Sequence, residues 1–280
     1  MPHYQKLYES GELAQRASRL EVRLKECNIC PRDCGVNRLT GGLGFCNSGE
    51  LPTVASYCAH HGEEPPLSAD RGSGTIFFGN CNLRCIFCQN HQISQRPDLQ
   101  KSNEVSTDKL AEIMLFLQNE RRCHNINLVS PSQFAPQILA ALCKAIPQGL
   151  NLPLVYNSNG YDSVETLEEL EGVVDIYLPD IKYARDLTAE RLSEAPQYVA
   201  HNRKAIEEMW RQVGELEVNN SGAAVKGLII RHLILPEGLS GSTSSLRWLA
   251  EELSPTVTIS LMSQYSPRHH AVKVKEINRP

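Results

Sequence analysis

The chain has no surplus of basic residues and no long apolar run, and these two absences remove several functions at once. Its 280 residues carry 28 Lys and Arg against 32 Asp and Glu, a formal net charge of −4. Neither a nucleic-acid partner nor a membrane surface calls for an acidic chain without charge patterning. No stretch approaches the ~18 consecutive apolar residues of a membrane span. The first residues, Met1-Pro2-His3-Tyr4-Gln5, lack the basic head and apolar core of a secretory leader. A cytoplasmic protein is expected. With 41% hydrophobic and 21% charged residues, the chain reads as globular, with one or two domains and a substantial core.

What the sequence has in quantity is cysteine. Ten cysteines in a reducing compartment point to metal binding or redox work rather than disulfides. Seven of them fall into two tight groups, while Cys58, Cys123 and Cys143 stand alone. Cys143 lies on the apolar side of an expected helix, where packing is its role. Cys58 and Cys123 are read the same way.

The central group is Gly79-Asn80-Cys81-Asn82-Leu83-Arg84-Cys85-Ile86-Phe87-Cys88-Gln89-Asn90, directly after the apolar run Thr75-Ile76-Phe77-Phe78. Zinc sites and ordinary iron–sulfur sites generally use four protein ligands. Three thiolates on one loop, spaced C-x3-C-x2-C, can instead hold three irons of a 4Fe–4S cube and leave the fourth open to a ligand. The other reading is a zinc site completed by a distant residue, such as His91 or another cysteine.

The second group is Cys27, Cys30, Cys34 and Cys46, in a turn-rich segment with Gly41, Gly42 and Gly44. Four thiolates suit structural zinc or a second iron–sulfur cluster, and ligand type does not choose between them. So short and irregular a segment needs a metal to fold. Before it, Leu13, Ala17, Leu20 and Leu24 give an approximate helical stripe. After it, Glu50 to Ser73 reads as an extended, turn-rich linker. That linker holds His60-His61-Gly62-Glu63-Glu64-Pro65-Pro66, a hydrogen-bonded surface feature or, in the alternative, a set of metal ligands. Residues 1–73 are therefore assigned to a helix and a Cys-rich metal-binding extension, and 74–280 to a core domain.

From Gly74 the pattern alternates. Strands are expected at Thr75–Phe78, Ile126–Ser130, Leu154–Tyr156, Val173–Leu178, Leu228–Leu235 and Val257–Met262. Amphipathic helices lie between them, marked by Leu110, Ile113, Met114 and Leu117, by Ile206, Met209, Trp210 and Val213, and by Leu246, Leu249, Ala250 and Leu253. Asp162-Ser163-Val164-Glu165 reads as a capping box with Asp162 as N-cap, and Pro136 as a helix start. Six such units make an α/β fold with a parallel sheet, an open (β/α)6 barrel or a doubly wound sheet. In either, ligands collect at the carboxyl ends of the strands. Those ends carry the three cysteines, Ser130 and Ser132, Asn157-Ser158-Asn159-Gly160, Asp180 and Lys182, and Gln264-Tyr265, with Arg231 and His232 within the fifth strand. His232 faces either the shared site or the outer helices.

The cysteine spacing, with Phe87 just before the last Cys, resembles the radical S-adenosylmethionine (SAM) superfamily. Longer stretches resemble its PflX-like family of pyruvate formate-lyase activating proteins. They are His61 to Pro66, Gly72 to Phe78, Cys85 to Asn90, Tyr177-Leu178-Pro179-Asp180-Ile181-Lys182-Tyr183, Glu208 to Gly214, Arg231-His232-Leu233 and Met262-Ser263-Gln264-Tyr265. The resemblance covers nearly the whole chain and favours the partial barrel. It implies that Cys81, Cys85 and Cys88 ligate a 4Fe–4S cluster whose open iron takes SAM. An electron then cleaves the sulfonium bond, and a 5′-deoxyadenosyl radical removes a substrate hydrogen atom. Low potential is needed, so a flavodoxin or ferredoxin donor is expected. The resemblance makes Asn157, Ser158, Asn159, Asp180, Lys182 and His232 cofactor-binding candidates, with Ser130 and Ser132 at the methionine end of SAM.

Two departures stand out. The second strand lacks the Gly-Gly-Glu common in the superfamily, so other residues must meet the SAM amino group. The chain ends at Glu276-Ile277-Asn278-Arg279-Pro280, where relatives usually continue through another helix; either the sequence is short or one side of the barrel is open. By resemblance the substrate is a glycine of a partner protein or peptide. The alternatives are a small molecule or another macromolecule, or a structural zinc-binding module without SAM chemistry.

Overall fold

The computed structural model describes residues 2–280. Eight strands form its sheet: β1 (Val54–His60), β2 (Ser73–Phe78), β3 (Ile126–Val129), β4 (Leu154–Ser158), β5 (Ile176–Pro179), β6 (Glu217–Val218), β7 (Ala224–Leu233) and β8 (Thr258–Met262). Their order is β1-β2-β3-β4-β5-β7-β6, with β8 also paired to β7. The ladders from β2 through β3, β4, β5 and β7 to β8 are parallel. These are the six strands expected from the sequence. Among the described residues no ladder joins β8 back to β1. The barrel is partial, as the resemblance implied.

β2, with its Thr-Ile-Phe-Phe run, is buried along nearly its whole length. That is the signature of a parallel strand covered on both faces. On the outer face, helices Thr107–Asn119, Ala135–Ala145 and Tyr198–Val213 contribute Leu110, Ile113, Met114, Leu139, Leu142, Ile206 and Met209 to the main core. The inner face holds a smaller apolar cluster of Leu67, Val155, Ile176, Leu178, Ala224 and Ile229. A third cluster around Leu83, Phe87, Tyr161, Tyr183 and Tyr198 packs at the end of the barrel that carries the cysteine loop.

Two expectations are corrected. The segment Glu50 to Ser73 is not a linker, because β1 lies within it and pairs antiparallel with β2, from Val54↔Phe78 to His60↔Ser73. The N-terminal extension also packs on the core domain. Leu13, Leu20 and Leu24 of the N-terminal helix share one core with Leu110 and Leu142. The helix Val164–Glu169 takes Ser163 as N-cap, with no side-chain cap bond. Asp162 has turned inward instead, and its burial is what positions the site.

Candidate active site

The three cysteines leave β2 on a loop whose first turn needs Asn80 at φ +64°, a left-handed conformation that Asn tolerates through its short polar side chain. Cys81, Cys85 and Cys88 line one cavity of about 190 Å3 with Ser130, Asn157, Ser158, Asn159, Asp180, Lys182 and Arg231. Larger hollows exist elsewhere, of about 420 and 770 Å3. Neither gathers the strand-end residues, so chemistry and not volume selects the site. The cavity is smaller than the ~300–1,000 Å3 usual for enclosed ligand pockets. A nucleotide seated there must extend through its open mouth.

Each thiol is pushed up by burial first, and further by another member of the trio: Cys81 by Cys85, Cys85 by Cys88, and Cys88 by Cys81. The three are therefore mutual neighbours, and deprotonation in this dry pocket calls for a compensating cation. Local donors prepare it. Ser193 Oγ donates to Cys85 Sγ at 3.0 Å, the Leu83 N–H to Cys81 Sγ at 3.4 Å, and Asn159 Nδ2 to the same sulfur at 3.4 Å. Ser94 Oγ lies 3.3 Å from Cys88 Sγ. Burial pulls the Lys182 ammonium down, but Asp180 at 2.5 Å, together with Cys85 and Cys88, outweighs it and holds the group raised. A fixed cation thus stands beside the sulfur ligands. Three thiols, Cys85 buried and Cys81 and Cys88 half-buried, with hydrogen bonds to each sulfur and a neighbouring ammonium are a donor set that fits a thiolate-bound cluster.

The strand-end loops are fixed from behind by residues that the sequence reading missed. Asp162, 3% exposed, accepts from Ser132 Oγ at 2.6 Å, Ser158 Oγ at 2.6 Å and Tyr156 Oη at 3.0 Å. Ser158 also accepts the Gly160 N–H at 3.1 Å. Helix Tyr198–Val213 reaches up to hold the loops after β4 and β5. Its Tyr198 hydroxyl lies 3.0 Å from the Asn159 carbonyl and receives the Lys182 N–H at 3.1 Å, while Asn202 Nδ2 donates to the Gly160 and Asp180 carbonyls. A tyrosine or asparagine on a helix carries no signal for such a task until the loops are seen to meet it.

Most of the cofactor-binding candidates converge on the cavity, and two of them, Ser132 and His232, do not. Ser132 lies 2% exposed behind its wall, with its proton given to Asp162. His232 points away from the lumen, its Nδ1 2.6 Å from the Ile181 carbonyl and its Nε2 2.8 Å from Ser242 Oγ. Strand alternation explains this, since its neighbour Arg231 takes the inward face. Neither Gln264 nor Tyr265 lines the cavity; Tyr265 packs in the end cluster and bonds the Ile277 carbonyl.

The N-terminal four also meet. Cys27, Cys30, Cys34 and Cys46 line a cavity of about 10 Å3 with Arg38. Arg38 is 1% exposed and stands 4.0 Å from Cys27 Sγ. Burial first, then the neighbouring thiols, push Cys30 and Cys34 up. Asn82 stands by the cysteine loop: its Oδ1 lies 3.9 Å from Cys81 Sγ, and its carbonyl accepts from Arg32, which lines the N-terminal cavity. Among the described residues no three Cys, His, Asp or Glu stand in the arrangement of a single metal ion. Sulfurs sharing one zinc, each about 2.3 Å from it, must lie within about 4 Å of one another. Sulfurs on separate irons of a cube lie farther apart.

Comparison with known proteins adds the following. The sequence profile of the Radical SAM superfamily matches residues 75–214. An uncharacterized protein of Methanocaldococcus jannaschii is 32% identical over 260 residues, which cover 91% of this chain and 70% of that one. A second uncharacterized protein of the same organism is 25% identical over 238 residues, covering 78% and 68%. Among solved structures, native anSMEcpe with bound AdoMet superposes with a TM-score of 0.45 at 10% identity, and HydG, a maturase of the [FeFe]-hydrogenase, with 0.44 at 12%. These alignments cover 70% and 72% of this chain but only 50% and 43% of the neighbours, so the chain spans about half the length of each. Among the described residues no helix is long and apolar enough to cross a membrane.

Proposed function

Because the chain belongs to the radical SAM superfamily, we propose that it uses that chemistry as an activating enzyme, abstracting a hydrogen atom from a glycine of a partner protein or peptide. The observation that carries the site assignment is the convergence of three thiols, on the loop after β2, and polar residues in or just after β3, β4, β5 and β7 on one cavity. In this reading Cys81, Cys85 and Cys88 hold a 4Fe–4S cluster. When bound, cluster and SAM supply one-electron cleavage of a sulfonium bond and a 5′-deoxyadenosyl radical.

The chain's own residues do the rest. Lys182 offsets the negative charge of the sulfur-bound centre and is kept charged by Asp180. Ser193, Ser94 and Asn159 hydrogen-bond the sulfurs and so tune the potential. Asn157, Asn159 and Asp180 present carboxamide and carboxylate groups to the cavity, suited to the amino and hydroxyl groups of SAM. Ser130, held at φ +58° at the cavity wall, takes the methionine end. Asp162 orders the loops that carry these groups. Cys27, Cys30, Cys34 and Cys46 form a second metal centre, with the buried Arg38 guanidinium 4.0 Å from Cys27 Sγ. The electron donor is a flavodoxin- or ferredoxin-like protein.

Anaerobic reconstitution with iron and sulfide tests the reading. The protein should turn brown, bleach with dithionite, and release 5′-deoxyadenosine from SAM only while Cys85 is intact. Incubation with candidate partners should then give a glycyl radical signal by electron paramagnetic resonance. Turnover of SAM with no radical on any partner would refute the activating role and favour a small-molecule substrate. Colourless protein holding stoichiometric zinc at both cysteine groups would refute the cluster assignment.

A further inference from the structure

The segment His60 to Pro66 has no place in the site described so far, yet it runs into the barrel. Glu63 and Glu64 have side chains only 7% and 10% exposed, so neither is a surface feature. Both reach Arg231 of β7, with Glu64 Oε1 3.2 Å from Nε and Glu63 Oε2 4.0 Å from Nη1. The residues that follow close the bottom of the lumen. Leu67, fully buried, packs with Val155, Ile176, Leu178 and Ile229, and Asn125 Nδ2 pins its carbonyl at 2.9 Å. Above, Arg231 lines the 190 Å3 cavity that holds the cysteines. Its guanidinium thus joins the cofactor cavity to the carboxylates beneath.

Asn127 supplies the second observation. Val129 and Asn157 line the cavity, so strand alternation turns Asn127 and its register partner Val155 to the same inner face, one step lower. Asn127 is 0% exposed, and neither its Oδ1 nor its Nδ2 has a hydrogen-bond partner among the described residues. Glu64 Oε2 makes no hydrogen bond either, nor does Arg231 Nε despite its 3.2 Å ion pair with Glu64 Oε1. Buried polar atoms of this kind cost free energy unless something meets them.

The charge balance says what would. Lys182 is taken by Asp180. The two carboxylates face one guanidinium, and the His60 ring, with Nδ1 3.2 Å from Glu63, has a side chain 40% exposed. Two buried carboxyl groups thus share one guanidinium among the described residues, and the unpartnered Oε2 of Glu64 is a free acceptor. We propose that this lumen is the substrate pocket, and that Glu64 with Glu63, Asn127 and Arg231 receives a substrate group carrying a protonated amine or guanidinium. The inference rests on the radical SAM reading and narrows its substrate to a cationic one, whether peptide or small molecule.

Ligand-observed NMR titration of the reconstituted protein with SAM present tests this, with butylamine, butanol and butyrate as probes. Wild type should bind butylamine at least about tenfold more tightly than butanol and reject butyrate. Glu64→Gln, isosteric and still able to accept from Arg231, should erase that preference while the visible spectrum of the cluster is unchanged. Should Glu64→Gln fail to fold, Glu63→Gln offers the same readout and should weaken butylamine in the same direction. A Glu64 that merely struts Arg231 would lower the melting temperature of its variant and leave the order of probes intact, which would overturn the proposal. Equal binding of amine and alcohol by wild type would overturn it as well. The activating role fails separately, by the absence of a glycyl radical on any partner.

Discussion

Asp162 is the residue on which the cofactor loops depend, and two substitutions separate its possible contributions. It sits 3% exposed with three hydroxyls directed at it, from the loop after β3 (Ser132), from β4 (Tyr156) and from the end of β4 (Ser158). Burial outweighs those three bonds and raises its carboxyl above the usual range. The negative charge is therefore not what stabilises the fold; the acceptor geometry is. Asp162→Asn keeps the shape and one carbonyl oxygen, and Ser158 can turn to accept from the new amide, so a loss of at most about 1 kcal/mol is expected. Asp162→Ala strands three buried hydroxyls at ~1–3 kcal/mol each before relaxation. A net loss of about 3–5 kcal/mol is expected by urea denaturation, at the upper end for a single change. Because Ser158 then no longer holds the Gly160 turn, SAM affinity of Asp162→Ala should fall about 10–100-fold by equilibrium dialysis, or 1.4–2.8 kcal/mol. Iron content should stay at the wild-type level, since no cysteine contacts Asp162. An Asp162→Ala protein that is destabilised but binds SAM like wild type would refute the positioning argument, and an Asn variant as damaged as the Ala variant would refute the claim that charge matters little.

Three further outcomes follow from the same geometry. Gly160→Ala should abolish SAM binding and lower the melting temperature, because a Cβ there would stand 2.2 Å from Asn202 Nδ2 and from the Asp180 carbonyl, at φ +74°; dialysis and thermal scans check both. Asp175, 9% exposed, is pushed up to about 6 by burial, which the Leu154 N–H offsets only in part. A raised carboxyl means the folded state binds the extra proton, so the cost of ionising Asp175 is absent below pH ~4, grows through that window, and is complete above pH ~6, at about 3 kcal/mol. Asp175→Asn should therefore stabilise the protein by up to that amount at pH 7 and not at all near pH 3.5, as measured by urea denaturation at each pH. Cys30→Ala, read by metal analysis and near-ultraviolet circular dichroism, should lose one metal centre and soften the N-terminal segment; an unchanged metal content would remove the second site.

The six parallel strands were legible because each is a short β-branched or aromatic run between helical stripes, and the cysteine loop because its spacing is chemically unusual. What stayed hidden has three physical causes. β1 is an edge strand with a bulge between Val54 and Ser56 and a half-exposed, irregular pattern, so its alternation is weak and its neighbouring Gly and Pro dominate the reading. Asp162 followed by Ser and Glu looks like a cap, but a carboxylate cannot serve the helix and three buried hydroxyls together. The hydroxyls won, a tertiary outcome with no local signal. Glu63 and Glu64 beside two prolines look solvated, and only the open barrel explains how a loop starting at the far end of β1 finds Arg231.

That last point bears on how electrons and substrate enter. Asn82 lies between the two thiol groups: it receives Asn159 Nδ2 at 2.7 Å, donates to the Tyr161 carbonyl at 2.8 Å and meets Arg32, which lines the cavity of the N-terminal cysteines. Arg32 reinforces the seam. It donates to the Asn82 carbonyl at 2.8 Å, and its guanidinium carbon lies 3.5 Å over the centre of the Phe45 ring. The cavity among the N-terminal cysteines holds only about 10 Å3, and among the described residues no ladder closes the sheet between β8 and β1. A donor protein that docks at the N-terminal cysteines would therefore leave the gap between β1 and β8 free, and reduction and substrate binding need not compete for one entrance. Were the N-terminal centre only a structural clamp, the donor would have to approach from the open side, and saturating butylamine would slow photoreduced-flavodoxin turnover of SAM; if it is a relay, the rate of reduction should be indifferent to that probe and sensitive to Asn82→Ala.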